Sequence, residues 1–274
     1  QLLLIHWSYA VFNQDYIWKK MPWKDYLKRK IRLYLIKKSY KYVNHLTVQI
    51  EAMKKEGEKN FLGNRDITVI PSSFDLKINN EIDQDKFDNR VKKFLFLSSY
   101  YYHKNHQALI EVAKLVKEKN LDYQIQITID KNNSSAKDFL LNIEKHGLQE
   151  QLVNLGSIPP GKINEAFEQA YATVNPSFLE SFGLTYLEAA SRGKLILASD
   201  LDFVHETMKD AAIYFNTFDA KSILNAMHQS TDKKLYLEKI ERGREIVESW
   251  PSWIDVTKQY YNLMNEILEK KKLK

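Results

Sequence analysis

Two glutamates eight residues apart, Glu180 and Glu188, flank a glycine in the run Asn175-Pro-Ser-Phe-Leu-Glu-Ser-Phe-Gly-Leu-Thr-Tyr-Leu-Glu-Ala-Ala-Ser-Arg-Gly193. The run reads as strand, loop and helix. Ala172-Thr-Val is a strand end, and Asn175-Pro176-Ser177 breaks it. A helix over about 184–191 stops before Gly193, glycine being common just past a helix C-terminus. Its start leaves the backbone N–H groups of Gly183, Leu184 and Thr185 without helical partners. Such donors suit an anion, phosphate best of all. One carboxylate stands in the loop and the other about a turn inside the helix. The pattern fits a phosphate-and-sugar site; its plain alternative is ordinary helix punctuation. Lys104 opens another helix, where a cation is unfavourable, which points it towards phosphate rather than a plain surface role.

These residues need elements to hold them. Buried strands are expected at 94–97, 123–129, 153–155, 172–174, 195–198 and 211–215, and helices at about 104–119, 136–146, 160–170 and 184–191. Alternating strands and helices predict a parallel, doubly wound α/β sheet, whose ligands sit at the carboxyl ends of the strands. The 175–183 loop, the Ser98 to Lys104 segment and Ser157 all fall at such ends. Before this series come a buried strand and its exit over about 1–9, with His6 and Trp7 at the end, an aromatic stretch at 12–22, a helix over about 23–43, a strand at 45–49, a helix at 51–59 and a strand at 66–70. A polar, Asn- and Asp-rich stretch at 72–90 reads as an interdomain linker. Helices at about 220–229, 234–248 and 252–270 form the tail.

The 274 residues suffice for one large domain or two smaller ones. There is no cysteine, so neither disulfides nor thiolate chemistry. No apolar run approaches the ~20 residues of a membrane span. The first residue is Gln, and the chain opens directly in a strand-like run, which reads as the later part of a longer protein. The net charge is +6. Between Tyr16 and Tyr42 lie ten Lys or Arg against Asp25, a charge of +9, which leaves −3 for the rest. With Tyr16, Trp18, Trp23 and Tyr26 among the charges, that segment reads either as a solvated helix face or as an electropositive surface for anionic lipid or a lipid-linked acceptor. No nucleic-acid-binding motif accompanies the charge.

The run around Glu180 and Glu188 resembles the Glu-x7-Glu signature of the family 4 glycosyltransferases, retaining enzymes with two Rossmann-like domains in the GT-B arrangement. Val48-Gln49…Met53-Lys54 and Ile67-Thr-Val-Ile-Pro71 resemble the end of that family's N-terminal domain. Lys104-Asn105 resembles the lysine after the first C-domain strand, Leu155-Gly156-Ser-Ile the strand end beside the base, and Trp253 with the last helix the tail that crosses back. The resemblance implies an incomplete N-terminal, acceptor-side domain at 1–78, a linker at 79–92, a complete nucleotide-sugar-binding domain at 93–252 and a crossing helix at 253–274. It implies transfer of a hexose-type sugar, with retention, from a nucleoside diphosphate donor to a saccharide or lipid-linked acceptor. The setting would be surface polysaccharide or lipopolysaccharide assembly at the cytoplasmic face of the membrane. Carried over, Glu180 lies near the donor sugar, the Gly183 and Leu184 amides meet sugar hydroxyls and diphosphate, and Glu188 accepts from the ribose hydroxyls. Lys104 neutralises the departing diphosphate, while Ser99, Asn105, Phe182, Ser157 and Ile158 complete the donor side. No metal or cofactor is expected. Family members commonly carry an arginine five residues before the lysine; here Ser99 stands there, so a serine hydroxyl, Asn105 or a helix start must substitute.

Other motifs weigh less. Asp200-Leu-Asp202 reads as loop and cap residues rather than a metal site, and His103-x-x-His106 has helical spacing without a further ligand. His6 fits a cleft residue or a satisfied structural histidine. Alternatives to the transferase are a related nucleotide-sugar enzyme of the epimerase or phosphorylase kind, and a non-catalytic donor-binding fragment. The first would need further acid/base residues or a pyridoxal lysine, and neither is evident.

Overall fold

A computed structural model describes residues 1–12, 15–19, 21–59, 66–74, 87 and 90–272. Most of the expected linker at 79–92 lies outside the described residues. The chain forms two compact units, one from residues 1–75, 179–183 and 250–274, the other from 76–178 and 184–249.

In the first unit, β1 (Leu2–Leu4), β2 (His45–Val48) and β3 (Asp66–Val69) pair in parallel in the order β1-β2-β3. The central β2 is buried along its length. The expected burial of the first strand is not met: β1 is one of the two outer strands of the three, Leu3 and Leu4 are exposed, and Ile5 just beyond is buried. An outer strand has a neighbour on one side only. Short α1 (Asp15–Lys19), long α2 (Trp23–Ser39) and α3 (Glu51–Gly57) complete the N-terminal part. The α2 helix stops short of the expected residue 43 and tightens into a 3-10 turn at Tyr40–Tyr42, a common way for a helix to end.

The last helix, α11 (Trp253–Lys272), belongs to this unit. Its Val256 and Leu263 form a buried cluster with Ile70, and Leu2, Tyr260 and Ile267 pack around it. The Ser252 amide and hydroxyl both donate to Asp255 Oδ2, and the Asp255 amide donates back to Ser252 Oγ. That reciprocal cap fixes where the helix starts. Just before it, the Trp250 indole N–H donates to the Ser72 carbonyl (2.9 Å) and the Ser73 hydroxyl to the Pro251 carbonyl (2.7 Å).

The second unit is built on β4 (Lys92–Phe96), β5 (Tyr123–Ile127), β6 (Leu152–Asn154), β7 (Ala172–Asn175), β8 (Leu195–Ser199) and β9 (Ala212–Phe215). They pair in parallel in the order β6-β5-β4-β7-β8-β9. Helices α4 (His106–Glu118), α5 (Lys137–Lys145), α6 (Ile163–Gln169), α7 (Leu184–Ser191), α8 (Asp202–Met208), α9 (Ala220–Gln229) and α10 (Lys233–Glu248) connect or follow the strands. Phe94, Phe96, Ile125, Ile127, Val174, Leu197 and Phe215 share one core with Leu109, Val112 and Val116 of α4. Apolar residues on both faces are what a sheet covered on both sides requires. Each right-handed crossover puts its helix on the face set by the direction of travel, so the reversal at β4 gives the doubly wound arrangement expected from sequence.

All five tryptophans, at 7, 18, 23, 250 and 253, belong to the first unit. Leu263→Ala is expected to cost that unit about 2–5 kcal/mol. The loss should appear as a lower urea midpoint by tryptophan fluorescence; a midpoint equal to the parent's would contradict the packing.

Candidate active site

In the second unit the strand order reverses between β4 and β7. In doubly wound sheets, connections leaving two such neighbours diverge, and ligands sit outside their carboxyl ends. The loop after β4 carries Ser99, Lys104 and Asn105, and the run after β7 leads through Pro176 and Phe178 towards α7.

The β4 loop is held from three sides. The Ser98 amide donates to Thr128 Oγ1 at 3.0 Å, which ties it to the end of β5. Tyr102–Lys104 form a single 3-10 turn. Asn105 then takes a left-handed backbone (φ 54°, ψ 39°) ahead of α4, a conformation asparagine tolerates better than most residues. Its side chain is buried, and the amide donates to both the carbonyl and Oγ1 of Thr217, each at 3.0 Å. The Thr217 hydroxyl donates in turn to the Pro176 carbonyl. The Phe178 amide donates to the His103 carbonyl at 2.8 Å, and the Phe178 ring stacks on Phe218 at 5.1 Å. From β8, the Ser199 hydroxyl donates to the Ser177 carbonyl at 2.7 Å. These bonds lock the loops after β4, β7 and β9 together, and Lys104 rides on them, half-buried.

His106, one residue into α4, is fully buried against Phe96, Tyr100 and Phe139, with ring centroids 4.7, 5.1 and 5.8 Å away. Burial, and then the Lys104 charge, push its pKa down to about 3. It is therefore neutral near pH 7. His103 sits in the 3-10 turn and His106 in α4, so the His-x-x-His spacing falls across two elements.

Gly183 has φ 79°, a left-handed region that favours glycine, and α7 begins at the next residue. The back of α7 is buried through Tyr186, Leu187, Ala189 and Ala190. Gly243 of α10 faces this helix: a Cβ there would meet the Ala190 Cβ at 3.4 Å, an ordinary contact. Glu188 is half-buried. Burial raises its carboxyl above the ordinary carboxylate value, and Arg192 one turn on opposes the shift. Arg192 is itself positioned. It donates through Nη1 to the Glu188 carbonyl (2.8 Å), through Nε and Nη2 to Asn164 Oδ1 (2.9 and 2.7 Å), and lies 4.8 Å over the Phe167 ring.

The structure thus brings Ser99, Lys104, Asn105 and α7 with Glu188 to the carboxyl ends of β4 and β7. Ser99 is exposed, whereas the Asn105 amide is committed to Thr217, so its part is to position the loop. Exposed Ser157 and half-buried Ile158 follow β6, two strands from β4. Asn154, which sequence reasoning missed, organises that corner. Its Oδ1 accepts from the Ile129 and Gly156 amides at 3.0 and 3.1 Å, and its Nδ2 donates to the Ile129 carbonyl at 3.0 Å. Half-buried Glu180, Phe182 and Gly183 fall in the segment counted with the first unit, and the Phe182 ring is buried edge-on against Trp250 at 5.6 Å. His6 is exposed and bonds through Nδ1 to Gln49 Oε1 at 2.6 Å. Asp200 meets His205 at 2.6 Å, and Asp202 begins α8. Among the described residues, no three His, Cys, Asp or Glu side chains gather where they could hold a metal ion.

Two units with parallel Rossmann-like sheets fit the GT-B class of fold. Solved structures agree. Sucrose-phosphate synthase from Thermosynechococcus elongatus superposes with a TM-score of 0.76 at 15% identity, covering 98% of this chain and 68% of that one. Anabaena HepE, solved with UDP and glucose, superposes with 0.71 at 13% identity, covering 97% and 71%. Residues 77–245 match the family described as glycosyl transferases group 1, and the chain belongs to it. Curated relatives include the phosphatidylinositol N-acetylglucosaminyltransferase gpi3 subunit of Schizosaccharomyces pombe, 23% identical over 88% of this chain and 52% of that protein. The O-antigen chain mannosyltransferase RfbU of Salmonella typhimurium is 24% identical over 71% and 53%. The chain spans about half the length of these relatives.

A carboxyl whose folded pKa is raised contributes stability below its ordinary value of 4.5 and loses it as pH rises through the folded value. Glu188→Gln is therefore expected to gain in Tm relative to the parent between about pH 4 and pH 7. Melting curves across that range check it; a difference independent of pH would contradict the burial of this carboxylate.

Proposed function

We propose that this chain carries the donor half of a retaining glycosyltransferase of the family 4 type, taking a hexose-type sugar from a nucleoside diphosphate. The observation that carries the reading is the switch-point arrangement, in which one buried hydrogen-bond chain from Asn105 through Thr217 to Pro176 holds the Lys104 loop beside the run that leads to α7.

The chemistry follows from where charge develops. When the bond from the anomeric carbon to the diphosphate oxygen breaks, negative charge builds on the phosphate and positive charge on the sugar ring. The Lys104 ammonium and the fixed N–H groups at the start of α7 stabilise the leaving group. Glu188 accepts from the ribose hydroxyls, which orients the nucleotide, and Glu180 steadies the oxocarbenium character near the anomeric carbon. Ser157 and Ile158 border the base, and Ser99 takes the place of the family arginine near the diphosphate. The acceptor hydroxyl attacks on the face the diphosphate leaves, and its proton passes to the departing phosphate oxygen. Configuration is retained without a protein nucleophile or a metal. The acceptor is a saccharide or a lipid-linked saccharide, and the setting is surface polysaccharide assembly at the cytoplasmic face of the membrane. The names of relatives such as the O-antigen chain mannosyltransferase support this reading.

Because the chain spans about half of its relatives, donor binding is the direct test. Calorimetric titration with UDP-, GDP- and ADP-sugars should find one that binds. Lys104→Ala and Glu188→Ala should each weaken it roughly tenfold to a hundredfold, the cost of a hydrogen bond to a charged group. Unchanged affinity in Glu188→Ala would remove the ribose role, and no binding by any of the three would overturn the reading.

A further inference from the structure

No residue of α2 is buried, although the helix runs for 17 residues. Its inward side is held by rings. Arg29 lies 4.2 Å over Tyr9, Arg32 4.5 Å over Trp7 and Lys30 4.1 Å over Trp18, while Tyr26 meets Trp18 edge-on at 6.0 Å. Half-buried Leu33 and Ile36 share that side, so cations over aromatic faces supplement a thin apolar contact. The larger set of apolar side chains lies on the outward side. Trp23, Leu27, Ile31, Tyr34 and Leu35 fall at the four-and-three spacing of one stripe and are all exposed, from 50% at Leu27 to 70% at Trp23. The stripe covers roughly a third of the helix circumference. Lys24, Lys28 and Lys38 are interleaved with it, also exposed, and Tyr42 continues the exposed aromatic surface past the helix end.

We infer that the outward face of α2 is a docking surface for an anionic lipid bilayer, lying in the plane of the headgroups. Charge complementarity selects the occupant: the segment from Tyr16 to Tyr42 carries +9 while the rest of the chain carries −3. Large apolar side chains at this exposure cost the folded chain in water unless a partner covers them. Leu27, Ile31 and Leu35 enter the acyl boundary, Trp23, Tyr34 and Tyr42 sit at headgroup level, and the interleaved lysines extend along their apolar stems to the phosphates. The helix lies on the membrane rather than through it, since no described helix is long and apolar enough to cross one. The surface stands apart from sugar transfer and needs no donor.

The chain is sedimented with sucrose-loaded vesicles of phosphatidylcholine alone or with a quarter of phosphatidylglycerol, without nucleotide. It is expected to bind the anionic vesicles at least tenfold more tightly than the neutral ones and to weaken as salt rises. Brominated lipid should quench tryptophan emission in the parent and much less in Trp23→Phe. The double variant Leu27→Glu/Ile31→Glu, at exposed positions, should melt with the parent and lose at least tenfold in vesicle affinity. Absence from the vesicle pellet, equal binding to neutral vesicles, or binding that Leu27→Glu/Ile31→Glu leaves intact would overturn the inference, as would retention on duplex DNA but not on vesicles. None of these results bears on nucleotide titration, so the donor site stands or falls separately.

Discussion

The buried amide of Asn105 is the tie on which the strand ends of the second unit depend. Its two N–H groups are out of water and have Thr217 as their partner at 3.0 Å, and Thr217 passes the tie to the Pro176 carbonyl. Removing that amide takes a donor from the buried Thr217 carbonyl, at a cost of about 1–3 kcal/mol of desolvation, while the Thr217 hydroxyl keeps its bond to Pro176. It also removes a side chain suited to the left-handed backbone that turns the chain into α4. Three loops from three strands therefore share one fate, and the lysine and the approach to α7 inherit their precision from a residue that need touch no ligand.

Burial acts on His106 and Glu188 in one direction, towards neutrality. It lowers the His106 imidazole and raises the Glu188 carboxyl, each against its own charged form. The two differ in what opposes it. Arg192 stands near Glu188 and favours the carboxylate, whereas Lys104 adds to the pressure on His106. The imidazole therefore serves as packing among Phe96, Tyr100 and Phe139, and the glutamate remains able to charge. Nearness in sequence to the lysine gives a histidine no acid/base role when burial among aromatic rings holds it neutral.

The doubly wound sheet was legible because strands buried on both faces write themselves as apolar runs, such as Phe94-Leu-Phe-Leu and Leu195-Ile-Leu-Ala. The start of α7 was legible because glycine at a left-handed position leaves a local mark. What could not be read is what depends on distant partners. Asn105 looked like a donor contact because Thr217 lies 112 residues away. Arg192 gave no sign of its bonds to Asn164 28 residues back, nor Asn154 of its hold on Ile129. The exposure of β1 was equally hidden, since Leu-Leu-Leu-Ile has the composition of a central strand and only pairing order shows it to be an outer one.

Val256 and Leu263 close the core over Ile70 and Leu2, so the two ends of the chain complete one body. On a ribosome that has a cost in time. Residues 1–75 emerge ahead of residues 76–249 and must wait while those 174 residues are made before their last helix appears. At roughly 5–20 residues per second the delay is on the order of ten seconds or more. The second unit, nearly continuous in sequence, can fold meanwhile. The segment 1–75 spends that interval with its aliphatic cluster uncovered, and of the two units the one begun earlier is the later to be completed.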